Sequence, residues 1–280
     1  MDKLCDLHVH SHFSDGTCSP AELIVLAKRA ELSAIALCDH NTISGVPSFL
    51  EAAEGSGVEA VPGIEFSTEY QGVELHILGL YIRPEHYASI QTRLVDLNRR
   101  KEQSNRDLVC RLQQAGYAID YDTIQASNAS GFVNRAVVGA ELTRLGYTQS
   151  VQDAFKKLLS PKHGYYVPPT RPDAYETIGF IKQLGAVAVL AHPFLNLEEG
   201  ELRAFLPQAV EMGLDGMEVL YPKYDEATTQ LAGQMAREFG ILPSGGSDFH
   251  GENKPDIAMG VGRGNLRIPL SYLENLKKSL

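Results

Sequence analysis

The chain has 280 residues, a formal net charge of −10, 44 % hydrophobic and 21 % charged residues. That length buries a full core without disulfide staples, and the four cysteines (Cys5, Cys18, Cys38 and Cys110) have no paired spacing, so a reduced, cytoplasmic protein without a structural zinc cage is expected. The acidic field argues against gripping long nucleic acid through its phosphates, while a small phosphorylated ligand at a locally positive or metal-bearing site stays open.

The opening MDKLCDLHVH lacks the apolar core of a signal peptide, and no run is long and apolar enough to span a membrane. CDLHVH reads as a strand of period 2, which puts Asp6, His8 and His10 on one face. Ser19-Pro20-Ala21-Glu22 reads as a capping box with proline at the first helical position, followed by Leu23, Leu26, Ala27 and Ala30 at helical spacing. AIALC (34–38) is a buried strand that ends at Asp39-His40, and VEAVPGIEFS (58–67) is another, carrying Glu65. Gln71-Gly72 turns the chain into VELHILGLYI (73–82), which carries His76.

Near residue 85 the rhythm changes to helix and stays so to about 165. One long helix starts at Tyr87 and is stopped by Gly116; AVVGAELTRLG and SVQDAFKKLLS add two more. Strand–helix alternation resumes over 174–193, 216–222 and 229–250. The expected architecture is an α/β barrel or open parallel sheet formed by residues 1–84 and 166–280, with 85–165 inserted as a small helical domain.

The polar residues gather at strand ends, where barrel chemistry collects. His8 and His10 lie on the first strand, His40 follows AIALC, His192 follows AVAVL, and Asp248 and His250 follow ILPSGG. With Asp15, Glu65 and His76 they make nine imidazole or carboxylate ligands of the kind zinc, manganese and iron accept. Each alone has an ordinary reading: a half-exposed HxH pair, an Asp-His helix cap, a loop carboxylate, a strand terminator. Together they exceed one ion; two ions need roughly six to eight protein ligands and three need about nine or more.

HVHSHFSDG, DHNT, GIEFS with LHILG, AHP and GSDFH, in that order over nearly the whole chain, resemble the polymerase-and-histidinol-phosphatase (PHP) family. The resemblance implies a distorted (β/α)7 barrel and phosphoester hydrolysis with two or three divalent ions, manganese foremost, zinc or iron as alternatives. Carried over by position, it implies one ion on His8, His10, Glu65 and Asp248. A second would share Glu65 and take His76 and His192; a third would take Asp15, His40 and His250. His12 is left over as a spare.

The insertion and the run EFSTEYQGVELHILGLYI look most like the bacterial phosphatases acting on nucleoside 3′,5′-bisphosphates and the related short-RNA 5′-exonucleases. Their Arg followed two positions later by His is matched by Arg135, with Val137 in place of the His. A planar guanidinium suits a phosphate, so Arg135 is the first substrate-binding candidate and Arg171 and Lys223 are weaker ones.

The resemblance implies removal of the 3′-phosphate from a nucleoside 3′,5′-bisphosphate, giving a 5′-nucleotide such as AMP, by attack of a metal-bridging hydroxide. The alternatives are 5′→3′ exonuclease action on short RNA, a histidinol-phosphate phosphatase, in another class a C–N amidohydrolase, and outside enzymes a structural or regulatory module, which should have lost ligands where this chain has lost none. No GxSxG elbow or Walker loop is present.

Overall fold

The computed structural model describes residues 3–128 and 133–280. The chain divides into two compact units, Met1–Gln91 with Arg171–Leu280, and Thr92–Thr170.

In the first unit seven strands form one sheet in chain order: β1 (Leu4–Val9), β2 (Leu32–Leu37), β3 (Glu59–Tyr70), β4 (Val73–Leu80), β5 (Val187–Ala191), β6 (Gly216–Leu220) and β7 (Leu242–Gly245). All neighbours pair in parallel except β4, which runs antiparallel to both β3 and β5. This reversal departs from the all-parallel rhythm of strand and helix. Its cause is the two-residue link Gln71-Gly72, whose φ values of 51° and 83° make a hairpin turn matched to the twist of the strands.

The two edge strands meet beyond their regular ends. The Asp248 N–H donates to the His8 carbonyl and the His10 N–H to the Phe249 carbonyl, each at 2.9 Å. Val9 and Phe249 form a parallel bridge there. This short seam closes the sheet into a distorted barrel, as the motif order implied. Alternation on β1 sends Cys5 and Leu7 into an apolar cluster with Ala36, Val61, Leu78 and Val189, leaving Asp6 and His8 on the opposite face.

Helix α1 (Pro20–Arg29) starts on the predicted capping box: the Glu22 N–H donates to Ser19 Oγ, and the Ser19 N–H donates to the Glu22 carboxylate at 2.7 Å. Helix α2 (Val46–Ala53) completes the first crossovers. Helix α3 (Tyr87–Gln114) leads into the second unit and ends just before Gly116, at φ 94°. There α4 (Tyr121–Ser127), α5 (Arg135–Arg144) and α6 (Val151–Ala154, continuing as a π-helical turn to Leu159) share a core of Leu108, Leu112, Ile124, Val138, Leu142 and Leu159.

The first unit continues with α7 (Ala174–Gln183), α8 (Glu199–Glu211), α9 (Glu226–Glu238) and α10 (Leu270–Leu276). Helix α8 escaped the sequence reading because Pro207 interrupts its interior. Among the described residues no helix is long and apolar enough to cross a membrane.

Gly246 is where the seam leaves no room. A Cβ there would lie 2.2 Å from the His8 Cβ and 2.8 Å from the His8 N. Gly246→Ala is expected to cost about 3 kcal/mol or more by overpacking, seen as a lower thermal midpoint. Gly200→Ala on α8, where nothing lies within 4 Å, should leave the midpoint unchanged or raise it.

Candidate metal centre

The barrel brings all nine proposed ligands to one end. His8 lies near the end of β1, with His10 and Asp15 just beyond; His40 follows β2, His192 follows β5, and Asp248 and His250 follow β7. Glu65 is on β3. Because β4 is reversed, its early residue His76 pairs with Ser67 and Ala191 and so reaches the same rim.

Glu65 is the hub and is fully buried. Its Oε2 lies 2.9 Å from His40 Nδ1, 3.2 Å from His8 Nε2 and 3.3 Å from His10 Nε2. Its Oε1 lies 2.7 Å from His76 Nδ1 and 3.1 Å from His192 Nε2. Asp248 Oδ1 stands 3.2 Å from His10 Nε2 and 3.4 Å from His250 Nδ1. Asp15 Oδ1 lies 3.1 Å from His250 Nε2, and its Oδ2 lies 3.8 Å from His40 Nε2.

Ions with bonds of ~2.0–2.2 Å separate their ligands by ~3–4 Å, the spacing of most of these pairs, while the 2.7 Å His76–Glu65 contact is a hydrogen bond. Three groups can each converge on one point with donor atoms within 4.8 Å of one another: His10–Asp15–His40–His250, His8–His10–Glu65 and His40–Glu65–His76. The chemistry of the orphaned atoms agrees. His8 Nε2, both ring nitrogens of His10, His40 Nδ1 and Glu65 Oε2 are buried without a hydrogen-bond partner. Such atoms are costly unless a cation engages them.

The electrostatics follow from crowding. Burial works against the Glu65 carboxylate, yet His40, His76 and His8 hold it well below the usual range. Burial likewise opposes Asp248 and Asp15, which Lys254 and His250 respectively keep ionised. Burial and His250 push His10 well below the ordinary imidazole value, which favours the neutral ring with one nitrogen lone pair to offer.

Three buried carboxylates outside the predicted set hold this arrangement. Glu218 accepts from the His8 ring at Oε1 (3.0 Å) and from the His192 N–H at Oε2 (2.6 Å). Glu218 also lies within reach of a fourth convergent group, His8–His192–Glu218, but both its oxygens are taken, so it orients those histidines rather than ligating. Asp6 accepts from the Ser247 N–H (2.8 Å), Ser247 Oγ (2.5 Å) and the Gly260 N–H (2.7 Å), fixing the loop that carries Asp248. Asp39 accepts from the Ser11 N–H (2.8 Å), Ser11 Oγ (2.6 Å) and Ser14 Oγ (2.7 Å), fixing the loop that carries Asp15. Burial pushes Asp39 up to about 6 despite these donors. The available signal was a carboxylate inside an apolar strand, in GMEVL and CDLHV, and an Asp directly before a ligand histidine.

Arg135 belongs to the second unit, its guanidinium 4.3 Å from the Tyr166 ring centre and 5.4 Å from that of Phe155. Arg171 pairs with Glu74 at 2.8 Å, and Glu74 in turn contacts His76 Nε2 at 3.3 Å. Lys223 lies in the loop after β6. His12 stacks on Phe13 and is not among the convergent groups.

A β/α barrel with imidazoles and carboxylates clustered at its C-terminal rim defines a metal-dependent hydrolase. The profile of the PHP domain matches residues 6–160. A 5′-3′ exoribonuclease of Haemophilus influenzae is 33 % identical over 89 % of this chain and 91 % of its own length. A 3′,5′-nucleoside bisphosphate phosphatase of Chromobacterium violaceum is 27 % identical over 90 % of both. A solved chain from Bifidobacterium adolescentis, provisionally described as a metal-dependent phosphoesterase, superposes with a TM-score of 0.87 at 26 % identity, covering 99 % of this chain and 96 % of that one. The chain belongs to the PHP domain family, and it is a metal-dependent hydrolase of phosphoric esters.

Glu218→Gln and Asp39→Ala should each lower metal affinity roughly 10–100-fold, the usual cost of losing a partner that orients ligands. Metal retained against a graded chelator, with folding checked by circular dichroism, measures this.

Proposed function

We propose that the enzyme removes the 3′-phosphate of nucleoside 3′,5′-bisphosphates, leaving the 5′-nucleotide, with two or three divalent ions held by His8, His10, Asp15, His40, Glu65, His76, His192, Asp248 and His250. Manganese is the foremost candidate for this mixed nitrogen and oxygen set. The observation that carries the reading is the buried Glu65 carboxylate facing five imidazoles, several of whose nitrogens have no hydrogen-bond partner.

When bound, such ions lower the pKa of coordinated water toward neutrality and offset charge on phosphoryl oxygens. The residues of the chain do the rest. Glu218 holds His8 by Nδ1, which leaves Nε2 free to face the cluster. Asp248 keeps Oδ2 on Tyr221 (2.8 Å) and Lys254 (2.6 Å), so only Oδ1 turns toward the histidines. No strong protein base is required. The net charge of −10 favours a small anionic substrate met at the rim over a long polyanion.

The second reading is 5′→3′ exonuclease action on short RNA, favoured by the exoribonuclease relative being more similar than the phosphatase. Both reactions break the bond between phosphorus and the 3′-oxygen of a nucleotide, so one site suits either.

The test is phosphate release from adenosine 3′,5′-bisphosphate with manganese, beside 5′-phosphorylated short RNA and histidinol phosphate. Fast release leaving 5′-AMP is expected. Mononucleotides from RNA with little release from the bisphosphate would select the second reading; turnover of histidinol phosphate alone would reject both. His10→Ala and Asp248→Asn should lose bound metal and at least about a hundredfold of turnover together; His10→Ala keeping full activity without metal would overturn the metal assignment.

A further inference from the structure

The regular ladder between β2 and β3 ends with Leu37 opposite Pro62, yet the same register returns further on, where His40 and Glu65 form an isolated parallel bridge. Two backbone bonds make it. The Glu65 N–H donates to the Asp39 carbonyl at 3.2 Å, and the Asn41 N–H donates to the Glu65 carbonyl at 2.9 Å. At Asn41 the chain then turns out of the strand direction, with φ at 50°. That left-handed region is costly for most residues and mild for asparagine.

The side chain of Asn41 carries the pairing on where its backbone turns away. Its Oδ1 accepts from the Ser67 N–H at 3.0 Å, and its Nδ2 donates to Ser67 Oγ at 2.9 Å. The network fixes the orientation of the amide, since the Ser67 N–H needs an acceptor. Both residues are buried, Asn41 at 1 % exposure and Ser67 at 6 %. Ser67 is flanked by two members of the cluster. It follows Glu65 at a spacing of two, so alternation puts both side chains on one face of β3, and it is the antiparallel partner of His76 on β4. One amide thus ties the residue after His40 to a position beside both Glu65 and His76. Those three residues are one of the groups whose donor atoms converge on a point.

We propose that Asn41 is a positioning residue for the metal centre: its amide clamps Ser67 and so holds His40, Glu65 and His76 at the spacing an ion needs. The inference rests on the proposed ligand set and not on the choice of substrate. Glu218, Asp6 and Asp39 each anchor ligand rings or a ligand-bearing loop, whereas Asn41 sets the distance between ligands that neighbouring strands carry. Without the clamp, the His40–Glu65 spacing falls to the two backbone bonds, at the point where the chain turns away from the sheet. Part of the binding free energy of an ion would then go into ordering that strand end.

The experiment is manganese titration of the full chain after dialysis against a chelator, read by competition with a second chelator, for the wild type, Asn41→Gly, Asn41→Asp and Ser67→Ala. Glycine accepts the positive φ without strain, so Asn41→Gly deletes the clamp and little else. It should weaken manganese about tenfold or more. Asn41→Asp should restore most of the loss, because a carboxylate still accepts from the Ser67 N–H and from the Ser67 hydroxyl. Ser67→Ala should fall between, and adding it to Asn41→Gly should weaken binding no further, since both remove one interaction. A merely structural role would lower the thermal midpoint of the metal-free protein and leave the affinity of the folded state unchanged. Wild-type affinity in Asn41→Gly, whatever its midpoint, therefore overturns the clamp. If circular dichroism shows Asn41→Gly unfolded, Ser67→Ala decides, and wild-type affinity there overturns it. His10→Ala judges the ligand set separately: undiminished manganese binding by that variant rejects the ligands, whereas a loss there beside an indifferent Asn41→Gly rejects only the clamp.

Discussion

A carboxylate with no exposed surface, ringed by five imidazoles, is the constraint on which the rest of this structure depends. Glu65 could not be buried as an anion without nearby compensation, and the histidines could not be stacked so closely if all were charged. His8 and His10 lie with ring centres 4.9 Å apart, and His10 and His250 only 4.0 Å apart. A divalent cation resolves both problems: it compensates the acid and engages neutral imidazoles. Metal binding and the stability of this end of the barrel are therefore one free energy.

The barrel is distorted where that cluster needs it to be. The seam between β1 and β7 is made by residues that flank ligands, since the His8 carbonyl and the Asp248 N–H share a hydrogen bond. Closure of the fold and placement of His8 and Asp248 beside Glu65 are thus the same event. The reversed β4 does similar work. A parallel strand would bring its last residues to the active rim; the reversed one brings His76, near its start.

Buried and half-buried acids here divide into two kinds. Glu65, Asp15 and Asp248 turn at least one oxygen toward imidazoles across 2.7–3.8 Å. Asp6, Asp39 and Glu218 spend their oxygens on backbone N–H groups, serines or the far side of a ligand ring. The second kind fixes loops and tautomers so that the first kind stays aimed. Lys254 and Tyr221 do this for Asp248 from the outside.

Much was legible in the chain itself because it depends on local rules. Period 2 put Asp6 and His8 on one face, Ser19 to Glu22 announced α1, and the order HVHSHFSDG to GSDFH carried the resemblance to the family. What stayed hidden depends on contacts across long separations. Glu218 meets His8 across 210 positions and Asp6 meets Ser247 across 241, and an acid inside an apolar strand marks each as unusual without naming its partner. The direction of β4 turned on two positive φ values at Gln71-Gly72, where the pattern of apolar residues is the same for either direction. Sequence alone determined which imidazoles and carboxylates stand at the strand ends and which strands carry them, because periodicity and turn chemistry are written residue by residue. Only the tertiary structure decided which oxygen faces which nitrogen and which acids serve as anchors, because those follow from barrel closure and burial.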